Sequence, residues 1–338
     1  MALRVGMAGY GLAGRYFHAP LLKGCGLELI AVLTTNPDRV DHVHADFPEA
    51  LVVSSMSELL SHELDLVIIA SVNSVHVEQA IAALHAGVPT VVDKPMGRNL
   101  TETLEILKVS DDTGVPVTAF YNRLFDSDSL TIKRVIRDNE IGKVFRIDSR
   151  FERYRPDLAT QSWREQSSAA EGGGLLLDLQ SHLISTALDW FGPADLVSAS
   201  VRSIRGASDD DVVLVLRHKS GVDSYLSASA IAGAPGPRIR MLGSSGALVI
   251  GELDPQEALL RSGKIPHDGK WNVSTKSEAC IVRGDEISEV QVEDGNYSHF
   301  YALVAGAIKG VNDWPVTKEE IIAVATIIDR ARELNFRE

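Results

Sequence analysis

Leu3-Arg4-Val5-Gly6-Met7-Ala8-Gly9-Tyr10-Gly11-Leu12-Ala13-Gly14 decides the fold, together with the Arg15–Leu22 stretch that follows it. Residues 3–8 read as a short buried strand, and residues 15–22 can continue as a helix. Between them lies G-x-G-x-x-G in the setting a dinucleotide requires, after a strand and before a helix. Gly9 allows the tight turn, Gly11 lets the backbone approach a pyrophosphate, and Gly14 lets the helix pack closely on the strand. Leu12 and Ala13 belong to the same cradle. The free N–H groups and positive dipole end of the helix then face the phosphates. The bland alternative is a glycine-rich turn in another kind of α/β protein.

Working outward, Leu27–Leu33 reads as a second strand, with Thr34, Thr35, Asn36, Pro37, Asp38 and Arg39 at its tip. A carboxylate at this point bonds the adenosine ribose 2′-OH, whereas a basic residue accommodates a 2′-phosphate. No acid stands directly at the strand end. Thr34, Thr35 and Asn36 can donate to a phosphate and Arg39 follows closely, so the reading favours NADP over NAD. Asp38 either caps the next helix or serves the ribose. Val52-Val53 reads as a short strand, and Ser57 as the cap of a short helix. Leu66–Ala70 is a continuous apolar run, as in a strand buried on both faces. Ser71, Asn73 and His76 come next, then a helical pattern over 77–86 with Gly87 at its end. Thr90–Val92 is a strand leading into Asp93-Lys94-Pro95-Met96-Gly97, Thr101–Thr113 is a helix, and Val115–Phe120 is a strand. Alternating strands and helices predict a doubly wound parallel sheet over residues 1–122. The loops bearing Gly9, Asn73 and Lys94 all follow strand carboxyl ends, where such sheets bind ligands.

After Asn122 the pattern changes. A helix over 126–138 is followed by alternating strands over 142–153, 196–203, 212–217, 224–230, 238–242 and 247–250. They predict an open, mostly antiparallel sheet in a second α+β domain, 123–338. Gly172-Gly173-Gly174 leads into a single helix expected over 175–191. Tyr297–Ile308 is helical, and Thr317–Glu320 is a capping box that opens a last helix.

The chain has 338 residues, 45% of them hydrophobic and 23% charged, which is ordinary for a soluble globular protein. A net charge of −13 without a basic stripe argues against nucleic acid as a partner. Cys25 and Cys280 lack disulfide or metal spacing, so no metal is expected. No apolar run is long enough to span a membrane. The first strand begins at the N-terminus without a signal peptide, and a cytoplasmic location is the expectation.

Several residues could carry chemistry. Lys94 precedes a proline at a strand end, which favours extended geometry, and a lysine beside a cofactor site is a functional candidate. Asp178 and His182 are four apart, so on one helix they share a face. A histidine beside a carboxylate suits general acid/base work near neutral pH. The three glycines before them would let backbone or ligand come close. His18 either touches phosphate or substrate, or packs. Tyr297, His299 and Tyr301 either line a substrate pocket or pack. Arg155, Trp163 and Arg164 lie in a polar stretch suited to hydroxyls or a carboxylate, and Asn122 is a further substrate candidate.

Together, GYGLAG, SVNSVH, DKPMG and GGGLLLDLQSH resemble the Gfo/Idh/MocA family, the glucose–fructose oxidoreductase and inositol dehydrogenase relatives. The likeness covers nearly the whole chain and keeps the motif order. It implies a Rossmann domain followed by a domain on a large open sheet, which serves as the interface of a homodimer or homotetramer. It implies that Lys94 lies near the nicotinamide and the reacting hydroxyl, and that His182 of the D-x-x-x-H pair accepts the proton. Asn73 and His76 match the cofactor-loop motif. Three positions depart from the family pattern: Asp93 replaces the glutamate of E-K-P, Val72 replaces a proline, and Gln180 replaces a glycine and could project into the pocket. The expected activity is hydride transfer between NAD(P) and a sugar, cyclitol or related polyol. The alternatives are reduction of a non-sugar carbonyl, dihydrodiol or imine, and a catalytically inactive nucleotide-sensing regulator.

Overall fold

The apolar runs of the first 122 residues form six parallel strands in the computed structural model, which describes residues 2–158, 165, 167–168, 171–206, 208–276 and 278–335. They are β1 (Arg4–Ala8), β2 (Glu28–Leu33), β3 (Leu51–Val53), β4 (Leu66–Ile69), β5 (Thr90–Asp93) and β6 (Val117–Phe120). Their order is β3-β2-β1-β4-β5-β6. Every residue of β4 and β5 is buried, because helices must cover both faces of a parallel sheet. Those helices are α1 (Ala19–Gly24), α2 (Pro37–Asp46), α3 (Met56–Leu59), α4 (His76–His85) and α5 (Leu100–Thr113). The chain reverses direction across the sheet between β1 and β4, so the loops after β1, β4 and β5 are neighbours at one edge.

Two local expectations change. A π-helical turn, Gly14–His18, precedes α1. The cap of α3 is Ser55 rather than Ser57. The Ser55 hydroxyl accepts from the Glu58 N–H at 3.1 Å, and the Glu58 carboxylate accepts from the Ser54 N–H at 2.9 Å.

The second unit is built on eight strands: β7 (Val144–Glu152), β8 (Ala194–Arg202), β9 (Asp211–His218), β10 (Asp223–Ser229), β11 (Ile239–Gly243), β12 (Gly246–Ile250), β13 (Ala279–Arg283) and β14 (Glu286–Glu289). The order is β14-β13-β12-β11-β7-β10-β9-β8. Only the β7–β10 pair among them is parallel. The final two strands extend the sheet beyond the sequence expectation. Helix α6 (Ser127–Arg137) and the segments α7 (Leu175–Asp178) and α8 (Gln180–Phe191) belong to this unit. One sheet face packs Ile147, Met241 and Leu248 with Ile132, Val135, Trp190 and Phe191 from α6 and α8. The other side of β7 carries Arg146, Asp148 and Arg150, and Arg240 of β11 donates to Asp148 at 2.8 Å.

The expected second domain, 123–338, is not one continuous piece. Residues 256–274 and 296–322 belong to the first unit. They include α9 (Gln256–Arg261), which the sequence reading did not mark, and α10 (Ser298–Ile308). Aromatic packing accounts for the return. Tyr297, Phe300 and Tyr301 are fully buried, and Phe300 meets Phe120 of β6 edge-on at 4.9 Å. The Thr118 hydroxyl donates to the Val316 carbonyl at 3.0 Å. The last helix, α11 (Lys318–Asn335), opens on the expected Thr317–Glu320 box. No helix among the described residues is long and apolar enough to cross a membrane.

Candidate active site

The Gly9 turn carries the steric signature of a dinucleotide cradle. Gly9 has φ +96°, a region that favours glycine, and a Cβ there would lie 2.6 Å from the Ala70 carbonyl oxygen. A Cβ on Gly14 would lie 2.3 Å from the Gly9 carbonyl oxygen, so only glycine lets the helix start reach the strand. At Gly11 the nearest neighbour of a Cβ would be the Arg39 guanidinium, 3.7 Å away, which leaves the backbone open. Leu12 and Arg39 are exposed, and Ala13 is half-buried.

The tip of β2 presents no carboxylate. Thr34 is buried, Thr35 and Asn36 are exposed, and the Asn36 side chain accepts from the Arg39 N–H at 3.1 Å, capping α2. Asp38 lies in the first turn of α2 rather than on the strand end. Arg39 makes no ion pair among the described residues. The open backbone at Gly11 beside a guanidinium fits the phosphate-bearing half of a dinucleotide.

The loops after β4 and β5 are tied together. Ser71 donates to Gln79 Oε1 at 2.7 Å. His76 is buried, with Nδ1 3.1 Å from the Pro95 carbonyl oxygen and Nε2 3.3 Å from that of Ser71. Burial lowers the His76 pKa even though Asp93 and these carbonyls oppose it. Asn73 is buried beside this histidine in sequence. The Asp93 carboxylate accepts the Lys94 N–H at 2.9 Å. Burial pushes the Asp93 carboxyl up, but His18, Lys94 and His76 outweigh it and hold the group below its ordinary value. Lys94 is half-buried at the carboxyl end of β5. His18 is fully buried, so it does not line an open phosphate site. Tyr297 and Tyr301 pack, while His299 is exposed. Asn122 is buried at the end of the first unit.

In the second unit, the expected single helix is interrupted at Leu179 (φ −102°, ψ −36°), between α7 and α8. Asp178 therefore ends one segment, and His182 lies in the first turn of the next. Asp178 is half-buried, and the imidazole of His182 is buried with its ring 6.3 Å from that of Phe151. The same Phe151 ring takes the guanidinium carbons of Arg238 at 4.2 Å and Arg123 at 5.5 Å. Such cation–π contacts hold an aromatic ring in place. The Ser185 and Thr186 hydroxyls each donate to the His182 carbonyl at 3.0 Å.

Protein atoms crowd the glycine run. A Cβ on Gly174 would lie 2.0 Å from Asp209 Oδ1, and one on Gly173 would lie 2.0 Å from the Ser167 carbonyl oxygen. Asp209 caps α7 from outside. Its carbonyl accepts the Leu175 N–H at 2.9 Å, and its carboxylate accepts the Leu176 N–H at 2.7 Å. Burial raises the Asp209 pKa, opposed by that N–H and by Arg332. The sequence reading did not mark Asp209, because nothing in Ser208-Asp209-Asp210-Asp211 points to glycines some thirty-five residues earlier.

Gln180 departs from its expected place at a pocket wall. It is fully buried, and its amide donates to the Val212 and Leu226 carbonyls at 3.1 Å each, fastening α8 to β9 and β10. Arg155 is exposed. Its carbonyl accepts from Arg205, whose guanidinium also bonds Asp210 at 2.9 Å. Trp163 and Arg164 lie outside the described residues.

Residues 3–121 match the family model for the NAD-binding Rossmann fold of the oxidoreductase family, and residues 129–249 match the GFO/IDH/MocA C-terminal domain. The chain is 31% identical to scyllo-inositol 2-dehydrogenase (NADP(+)) IolW of Bacillus subtilis, over 98% of this chain and 93% of that protein. It is 32% identical to the uncharacterized oxidoreductase YdgJ of Escherichia coli, over 97% and 94%. The solved structure of yvaA from Bacillus subtilis superposes with a TM-score of 0.88 at 29% identity, covering 99% of this chain and 98% of that one. The open backbone at Gly11 agrees with these matches, and the chain belongs to the Gfo/Idh/MocA family of oxidoreductases, with an NAD-binding Rossmann domain at its N-terminus.

Proposed function

We propose that the protein is an NADP-preferring dehydrogenase of a cyclitol, sugar or related polyol. The observation that carries this reading is Lys94, presented at the carboxyl end of β5 with its backbone N–H on an ionised Asp93. The likeness to an inositol dehydrogenase supports the substrate class. The cofactor preference rests on Thr34, Thr35, Asn36 and Arg39 at the tip of β2, with no strand-end carboxylate.

The bound nicotinamide supplies the hydride chemistry. Gly9, Gly11, Leu12, Ala13 and Gly14 would hold its phosphates, with Ser71, Asn73 and His76 shaping the neighbouring loop. In the oxidation direction His182 takes the hydroxyl proton as general base. The Lys94 ammonium donates to the same oxygen as negative charge develops on it. Asp178 orients His182 or binds a neighbouring hydroxyl. Asn122 and Arg155 are the described substrate candidates. The Arg146–Asp148–Arg150 side of the second sheet is proposed as a self-association surface, which sedimentation velocity reads directly.

The test is nicotinamide reduction with NAD and NADP across inositols, aldoses and sugar acids. Turnover of a polyol that drops by about 10²–10⁴-fold in His182→Ala is the expected result for loss of a general base. Folded Lys94→Ala and His182→Ala variants with wild-type rates would sink the assignment. Saturable cofactor binding without turnover on any substrate would move the reading to a regulator.

A further inference from the structure

His18 lies outside the proton and hydride steps above, yet its ring lies between two buried polar groups, hydrogen-bonded to one and facing the other. Nδ1 lies 2.5 Å from the Tyr301 hydroxyl, and Nε2 lies 3.8 Å from Asp93 Oδ1. Phe120 covers the ring, 4.3 Å between centroids. Burial, with Asp93 and Cys25 adding to it, pushes the Tyr301 phenol far above its ordinary pKa, so it keeps its proton. Among the described residues, that buried hydroxyl has His18 Nδ1 as its hydrogen-bond partner. Nδ1 is therefore the acceptor, and the ring hydrogen resides on Nε2, the side facing Asp93. The same Asp93 Oδ1 accepts the Lys94 backbone N–H. His18, Phe120, Asp93, Lys94 and Tyr301 all belong to the first unit.

We propose that His18, held in one tautomer by Tyr301, is a positioning residue that fixes the Asp93 carboxylate on the Lys94 backbone. The proposal rests on the reading that Lys94 works on the substrate oxygen. The groups facing Asp93 are His18 from the turn before α1, His76 from α4, the adjacent Lys94, and the neutral Tyr301 from α10. The first three favour the charged carboxylate, while burial opposes it. Removing His18 takes away the ring N–H that faces Asp93 across 3.8 Å, a charge–dipole contact longer than a hydrogen bond. The carboxyl then titrates at higher pH, and its protonated form holds the Lys94 N–H less firmly. The alternative is that His18 only fills an aromatic cluster with Phe120 and Tyr301.

The double variant His18→Phe/Tyr301→Phe separates the two. It keeps both rings, and it leaves neither a lone ring nitrogen nor a lone hydroxyl, so the stability penalty stays small. The first readout is the titration of the Asp93 carboxyl carbon by NMR of protein labelled at aspartate, assigned through Asp93→Asn. The proposal expects the midpoint to move up in the double variant. An unmoved midpoint overturns it. The second readout is the split between kcat and KM. A fall of about ten- to a hundredfold in kcat, with KM values changed less than about twofold, is the loss expected when a catalytic group drifts by up to 1 Å. Unchanged kcat overturns the proposal, and so does a rise in both KM values at constant kcat. Absence of polyol turnover in the wild type would defeat the proposed function alone, because the Asp93 titration still decides the role of His18.

Discussion

Replacing Arg39 by alanine tests the cofactor reading at one side chain. The guanidinium is exposed beside Gly11 and makes no ion pair among the described residues. The Arg39 contribution to the α2 cap is its backbone N–H, which alanine retains. Arg39→Ala should therefore leave folding intact and change only what the guanidinium does for a ligand. A hydrogen bond to a charged partner contributes about 1.5–3 kcal/mol. Solvent exposure places this one at the low end, and about 1.4 kcal/mol is tenfold in affinity. The expected result is a roughly tenfold weaker Kd for NADPH, with NADH changed by less than about twofold. Titration of the purified protein by the change in nicotinamide fluorescence measures both, without any substrate. Salt adds a second arm, because screening should shrink the NADPH effect between low and high ionic strength. Equal losses for the two cofactors, or no loss for NADPH, would refute a phosphate-binding role for Arg39.

Two further outcomes test the second unit. Burial raises the Asp209 pKa, so between the unfolded carboxyl value and the raised folded one the native state binds more protons than the unfolded chain. Stability from this group is complete below that window and is lost as pH rises through it. Asp209→Asn keeps an oxygen acceptor for the Leu176 N–H and removes the titration. Urea midpoints should therefore improve relative to wild type at pH 7 more than at pH 4, and a gain confined to pH 4 would contradict the sign. Gln180→Leu removes two donors to the Val212 and Leu226 carbonyls and should cost about 1–3 kcal/mol by urea unfolding. Unchanged stability with altered substrate preference would return Gln180 to the pocket wall.

Much of the first unit was legible because its signals are local. The apolar runs of β4 and β5, the G-x-G-x-x-G turn and the strand-end lysine each lie within a dozen residues. Even there, Ser54-Ser55-Met56-Ser57-Glu58 offers more than one serine as a cap, and only Ser55 stands three residues before Glu58, whose N–H it accepts. The second sheet's edge strands escape the sequence pattern because Ala279–Arg283 is only five residues long and Glu286–Glu289 is four, three of them polar. Asp178 and His182 were marked from spacing, but spacing alone could not reveal the interruption at Leu179. The glycine run was read as room for a ligand, and the structure fills it with Asp209 and Ser167. His18 was ambiguous for a plain reason. Its partner Tyr301 is 283 residues away, and no local pattern joins them.

That separation has a consequence for how the protein is made. Domains generally fold as units during synthesis, the N-terminal one first, with chains elongating at roughly 5–20 residues per second. At that rate a ribosome needs about 15–60 s to add the 283 residues between His18 and Tyr301. Throughout that interval His18, and Phe120 once it has been made, lack the aromatic residues of α10 that cover them in the finished molecule. The N-terminal sheet must therefore wait, with these aromatic contacts unmade, until α10 has been translated. A gene fragment that stops at residue 122 would leave these contacts permanently unmade, and chaperone demand should peak before α10 emerges from the exit tunnel.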